Sequence, residues 1–574
     1  MARFTHLSAV FVFFMLAGCA VSSYRADDMA DLETASAHRL NIVQSRSMYL
    51  FSLARISALE GDYEAAVTLL QASIEADSSS AYLHTSVAEL YLKMNRIQEA
   101  INACRTAIDI DPKHSDAHLL LANILSSLKQ ERGAIDHYRK AIELTPDKED
   151  AYLQLALIYL RIFEYEEAVK TLKSLAAIAS DSLHAYYYLG KAYEQMKLPK
   201  EALSYYRKVI TLKPEFEPVY VDIGLSLESQ GERKEAIKSF ESLLQLNPHN
   251  FSVMQHLVQL YIQENRLEDA LNILKTLISR DIGGLETHRK AGLVYLELER
   301  YDEAILEFEQ ILKQEPQANQ IRFYLASAYE EKGESLRAIE EFSKIPASAY
   351  NYSDAVGHIA YLYLDNGDGE KGIGILKSAI AADPAKFDYY LHLAGVYEGL
   401  QRYSDALSAL LQVEGRFAGE ARLHFRLGIL YDKVGDKEQL ISRMKRVLTI
   451  TPADPQALNY LGYTFVEMGE NLDEALKLLK EAVSLRPNDG FILDSLGWAY
   501  YKLKKYSDAV TYLEKATKLV DDDPVMIGHL ADAYLAVRNH ANALKAYKRL
   551  QQLEPGRKDL AEKIRKIRLE LANE

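Results

Sequence analysis

His114 and His118 stand four residues apart, a spacing at which two imidazoles on one helix face can hold a metal ion. No cysteine or carboxylate cluster lies in matching register and His114 precedes the expected helix start, so no metal site is expected. Asp521, Asp522 and Asp523 form an acidic run of the kind calcium takes. Their place just before Pro524, at the opening of the next helical pattern, points instead to capping and to the helix dipole. Cys104 falls at a buried helical position, where a thiol packs as a small hydrophobe. The only other cysteine, Cys19, follows Leu16-Ala17-Gly18 at the end of an apolar run from Leu7 that Arg3 precedes. That is the layout of a cleaved export signal, and the run is too short to span a bilayer. No phosphate loop, nucleophile elbow or paired-histidine zinc helix occurs, so neither an enzyme nor a cofactor is expected.

These residues sit in a strongly periodic chain. Alanine or glycine recurs every 34 residues, at Ala54, Ala88, Ala122, Ala156, Gly190 and Gly224, then from Gly292 to Gly462, with Val258 as the exception. After one inserted residue the series resumes at Gly497 and Ala531. A second small-residue series lies twelve positions downstream, including Ala66, Ala100, Ala134 and Ala168. Two small positions per period predict two close-packed helices, because small side chains let helix axes approach. Turn signals such as Gly61-Asp62 and Gly231-Glu232 fall between them. An aromatic follows the first small residue by three positions in most periods, as at Tyr91, Tyr159 and Tyr500, and so shares its helix face. Prolines such as Pro112, Pro146 and Pro214 close periods. The 82 acidic against 67 basic residues leave a net charge of -15, which disfavours nucleic acid and anionic lipid surfaces as partners.

A 34-residue helix pair with this order of small, aromatic, small and proline residues resembles the tetratricopeptide repeat (TPR). The likeness covers Ser47 to Arg557, which accommodates fifteen periods and the one inserted residue. The implied fold is all-α, a right-handed superhelical solenoid of about fifteen TPR helix-turn-helix repeats with a C-terminal capping helix. Within 558–574, Leu560, Ile564, Ile567 and Leu571 recur at helical spacing and supply the dry side of that cap. The expected organisation is a signal peptide over 1–18, a lipidated tether and short helix over 19–46, repeats 1–9 over 47–352, repeats 10–15 over 353–557, and the cap. Pro346 falls early, and Gly357, Gly367, Gly369, Gly372 and Gly374 follow. Interior glycines weaken helices by roughly 0.5–1 kcal/mol each, which makes 346–376 an expected hinge with a weak second helix.

Leu16-Ala17-Gly18-Cys19 resembles the lipobox of bacterial lipoproteins, and Asn459 to Tyr463 and Asp494 to Tyr501 resemble stretches of TPR lipoproteins of bacterial envelopes. The resemblance implies lipid on Cys19 and, with Ala20 rather than aspartate next, an outer-membrane anchor facing the periplasm. In TPR proteins the first helix of each pair lines a concave groove. The groove residues it implies are Phe425, Ile429, Asn459, Tyr463, Asp494, Trp498, Tyr501 and Asp532, with a looser patch at Tyr187, Lys191, Phe323 and Tyr361. Such a groove holds protein partners, here in assembly or export of an envelope component such as a polysaccharide, pilus or secretion machine. The alternative is a carbohydrate or peptidoglycan module in which Trp498, Tyr463 and Asp494 grip a sugar. Chaperone tails are not expected: Asn123 occupies a clamp position, but Leu119 stands where the lysine belongs.

Overall fold

The computed structural model describes residues 28–573. Thirty-one helices follow one another and no strand occurs among the described residues. Cys19, the expected signal peptide and the start of the expected tether lie outside them. No helix among the described residues is long and apolar enough to cross a membrane.

The chain divides into two compact units, one ending at Asn265 and the other beginning at Arg266. Each is built of antiparallel helix pairs, such as Leu183–Gln195 with Pro199–Leu212 in the first unit and Gly490–Lys502 with Tyr506–Leu519 in the second. The Lys558–Asn573 helix packs on His540–Leu553 and buries Leu560, Ile564 and Ile567.

The two small-residue series sit at the pair contact. A Cβ on Gly190 would come 2.2 Å from the Tyr206 ring, and one on Gly292 would come 2.5 Å from the Phe308 ring. In each case the first helix gives up its side chain so that a large ring sixteen residues later can fill the space. Those rings are among the largest fully buried side chains. Cys104 is also fully buried, which pushes its thiol pKa up to about 12.

Between the paired helices one residue turns left-handed at the same register in successive repeats. Gly61, Gly231, Gly333 and Gly435 take this place, but so do Asn95, Lys129, Phe163 and Lys197. Glycine adopts that conformation freely, whereas an L side chain is strained there by about 1–2 kcal/mol. Phe163, at φ 65° and 75% exposed, gains little packing in return. Phe163→Gly is expected to stabilise the first unit by roughly 0.5–1 kcal/mol, after the extra unfolded-chain entropy of glycine is subtracted. Phe163→Ala, which keeps the strain, should show no gain in the same denaturant titration.

The inserted residue lengthens the first helix, Pro455–Met468, to 14 residues against 13 in Ala421–Lys433, and the turn that follows has Gly469 and Asn471 both left-handed before the next helix starts at Leu472. The glycine-rich window keeps a full-length second helix. Its second helix, Gly369–Ala382, runs 14 residues, while the shortened second helices are Ser335–Ser343 and Tyr403–Leu411, nine residues each. Gly372 is there for close approach: a Cβ would stand 2.6 Å from the Ala360 carbonyl oxygen.

Candidate functional site

The eight main groove residues all lie in the second unit, on four successive first helices: Ala421–Lys433, Pro455–Met468, Gly490–Lys502 and Pro524–Ala536. Aspartates fix the starts of the last three. Asp454 accepts from the Ala457 amide at 2.9 Å, Asp489 from Phe491 at 3.0 Å and Asp523 from Met526 at 2.9 Å. The run Asp521 to Asp523 is thus used for capping and for pairing, since Arg549 Nε donates to Asp522 at 2.8 Å.

The structure sorts the eight residues into three groups. Phe425 and Ile429 line a hollow of about 340 Å³ together with Tyr361, His392, Arg422 and Arg426. Asn459, Tyr463 and Asp494 line a second hollow of about 300 Å³ with Phe491, Asp523 and Val525. The edge-on contact of Phe425 with Tyr460, ring centroids 6.3 Å apart, joins the walls of the two. Trp498, Tyr501 and Asp532 line neither.

Trp498 departs from expectation most. It is 9% exposed, with Tyr501 stacked on it at 4.6 Å and His529 at 4.0 Å, both nearly parallel. Its Nε1–H donates to Glu467 at 2.7 Å. A sugar would have to displace these rings to stack on the indole, so the face that the carbohydrate reading requires is already covered. Asp532 likewise accepts from the Tyr547 hydroxyl and, at 3.3 Å, from Lys563.

The two hollows differ in polarity. Arg422 and Arg426 present guanidiniums to the first, and each is held by one carboxylate contact, to Asp388 at 3.0 Å and to Glu398 at 2.5 Å. Burial lowers the pKa of His392, keeping it a neutral donor and acceptor. The only carboxylate in that lining, Asp454, is occupied with capping. The second hollow has no lysine, arginine or histidine in its lining. It offers Asp494, Asp523 and the buried Oδ1 of Asn459, an acceptor without a donor. Burial raises the Tyr463 phenol to about 12, so it stays protonated.

Sequence reasoning missed His529, Glu467 and Arg426. His529 Nδ1 donates to Asp494 at 3.0 Å and fixes that carboxylate at the edge of the second hollow.

The looser patch divides between the units. In the first, Lys191 donates to the buried Asp222 at 2.7 Å and Tyr187 packs edge-on against Phe216. In the second, Phe323 packs against Phe342 and His358, while Tyr361 joins the first hollow. Asn123, at the clamp position, accepts from the Tyr138 hydroxyl.

No group of three or more potential metal-binding side chains occurs among the described residues. His118 meets His137 instead of His114, with Nδ1 atoms 3.0 Å apart. Because His118 Nε2–H donates to the Pro112 carbonyl at 3.2 Å, its Nδ1 is the acceptor and His137 Nδ1–H the donor. Burial lowers both pKa values; for His118 the hydrogen bond to the Pro112 carbonyl and Asp111 oppose this while Lys140 and His114 add to it, and for His137 His118 and Arg105 add to it while Asp136 opposes it. The folded state therefore binds fewer protons than the unfolded chain once pH falls below the ordinary histidine value of about 6.5. The pair's contribution is present above that pH and is lost as pH falls toward the lowered folded values. His137→Asn should flatten the decline in the first unit's unfolding midpoint between about pH 7 and 5.

Tetratricopeptide repeat models match residues 57–124, 150–182, 184–216, 227–281, 289–352, 359–421 and 490–523, and a TPR repeat model matches 128–162. The TPR repeat-containing protein PA4667 of Pseudomonas aeruginosa is 27% identical over 214 residues, 37% of this chain and 35% of that protein. The human protein O-mannosyl-transferase TMTC1 is 24% identical over 210 residues, 36% of this chain and 24% of that protein. The chain thus spans about a third or less of the length of these curated relatives. The crystal structure of yeast Tom70 aligns over 80% of this chain and 97% of its own, at 16% identity and a TM-score of 0.38.

Proposed function

This chain belongs to the tetratricopeptide repeat family, and from that premise we propose that it is a binding scaffold whose first-helix face between Ala421 and Ala536 holds a segment of a partner protein. The observation that carries the reading is the pair of adjoining hollows on successive first helices. They leave aromatic, charged and amide groups open, while Trp498 and Asp532 beside them are committed to internal contacts. Hollows lined by apolar side chains with a few convergent polar groups are where proteins take ligands. Phe491, 58% exposed, and Val525, 56% exposed, stand at the second hollow as apolar anchors. The reading assigns the repeats no catalytic residue and no cofactor.

The lipobox-like Leu16-Ala17-Gly18-Cys19 supports a lipid anchor on Cys19, and Ala20 supports the outer membrane with the repeats in the periplasm. Envelope assembly or export is the setting that this anchor and a protein-binding face suit together. Two or more acyl chains give lasting membrane attachment. Cys19→Ala is expected to abolish lipid labelling and to move the protein from the membrane to the soluble fraction. Continued membrane attachment of that variant would refute a tether made of lipid alone. For the scaffold itself, photo-crosslinking in cells from position 491 should attach a protein; attachment of glycan alone, or of nothing, would overturn the reading.

A further inference from the structure

The geometry points to a dipolar peptide as the occupant of this face: a segment that carries a carboxylate into the hollow beside Phe425 and a cationic side chain into the hollow beside Tyr463, about three residues apart. This inference rests on the protein-binding reading and names the partner's chemistry.

The argument is one of charge and spacing. In the first hollow the guanidiniums of Arg422 and Arg426 lie one helical turn apart beside apolar Phe425 and Ile429. The single carboxylate contact held by each leaves further N–H donors for a ligand. Arg422, 61% exposed in its side chain, rests its guanidinium over the Phe387 ring at 5.4 Å and binds Asp388 through one nitrogen, which leaves other N–H donors for an incoming carboxylate. Arginine is the cation best matched to that group because its donors form a planar fork.

The second hollow presents only acceptors and neutral groups: the Asp494 and Asp523 carboxylates, the undonated Asn459 Oδ1 and the protonated Tyr463 phenol. Asp494 already holds His529 Nδ1 and Asp523 the Met526 amide, each with lone pairs to spare, and an ammonium or guanidinium supplies the further donors that these carboxylates and Asn459 Oδ1 can take. An anion placed there would face two carboxylates, and a cation in the first hollow would face two guanidiniums. A segment that brings a cation to the first hollow or an anion to the second is therefore rejected as well as unassisted.

The spacing follows from the helices. The Pro455–Met468 helix contributes to both hollows, with Gln456 in the first and Asn459, Tyr460 and Tyr463 in the second. That helix separates the two hollows and is about 10–12 Å across with its side chains, and an extended chain advances about 3.3–3.6 Å per residue. One repeat therefore corresponds to about three residues of ligand.

Fluorescein-labelled peptides in a Ser/Leu background test this by anisotropy with the full chain. They carry Glu and Lys three apart in either order, Glu alone, Lys alone, or neither. At least one dipolar peptide is expected to bind at least tenfold more tightly than the uncharged peptide, and more tightly than either singly charged one, with the advantage shrinking in salt. Arg422→Glu should lower that affinity about tenfold, and Lys in place of the peptide's Glu should restore it. Asp523→Asn, which keeps the capping oxygen, should weaken only the peptides that carry Lys. Equal binding of dipolar and uncharged peptides, or an Arg422→Glu variant with unchanged charge preference, would overturn the inference. If a protein crosslinked from position 491 binds this face with no charge preference, the inference fails and the scaffold reading stands; if no protein attaches there, both fail.

Discussion

Trp498→Ala is expected to raise amide exchange rates across residues 490–536 a hundredfold or more. Truncating a buried Trp to Ala removes about 3–5 kcal/mol, and in a repeat protein such a loss is felt first by the local helix pairs rather than as one global transition. The indole lies between helices as well as within one. It gives its N–H to Glu467 of the preceding first helix and takes the His529 ring from the following one. Its loss leaves the Glu467 carboxylate without that donor and strips the stack that holds His529 against Asp494. Trp498→Phe keeps an aromatic face but not the N–H, and should show an intermediate effect. Unchanged protection in 490–536 for the alanine variant would mean that the indole is not a packing element.

Gly224→Val should destabilise the first unit by about 3 kcal/mol, although glycine is a poor helix former. Replacing an interior glycine ordinarily gains roughly 0.5–1 kcal/mol. Here the new Cβ would lie 2.4 Å from Phe240 Cζ, against a ring that is itself 1% exposed and has nowhere to move. Overpacking of a tight core costs about 1–3 kcal/mol, occasionally more, and outweighs the propensity gain. Phe240→Leu in the same chain should recover part of the loss, so that the two changes are less than additive. In this chain Ala156 and Leu172, at the same register, share a core cluster. Additive losses in urea titrations would show that the small-residue series does not act through its facing ring.

The repeat, its two helices and the positions of its small residues were legible because each depends on spacing within one period. The facing ring was less so: Tyr206 and Phe308 read as ordinary second-helix apolar residues until their place above Gly190 and Gly292 is seen. The left-handed turn was legible where glycine marks it, as at Gly61 and Gly231, and hidden at Phe163 and Lys197. The site was legible only by helix, not by grouping. Contacts between repeats decide which groove residues are open, and these link residues about one period apart. Lys191 to Asp222, Glu467 to Trp498 and Asp532 to Lys563 are each 31 apart. A search for complementary pairs at that offset would have flagged Trp498 and Asp532 as internally paired.

That distinction gives the account its content. The open apolar groups, Phe491 and Val525, stand at the second hollow, and the committed ones brace the helices that carry them. The most direct measurement is calorimetric binding of the segment captured from position 491 to full-length Phe491→Ala, Val525→Ala and Leu485→Ala proteins with matched unfolding midpoints. Leu485, on a second helix and outside both hollows, serves as the control. The account predicts at least tenfold weaker binding for the first two and no change for the third; equal affinities in all three would contradict it.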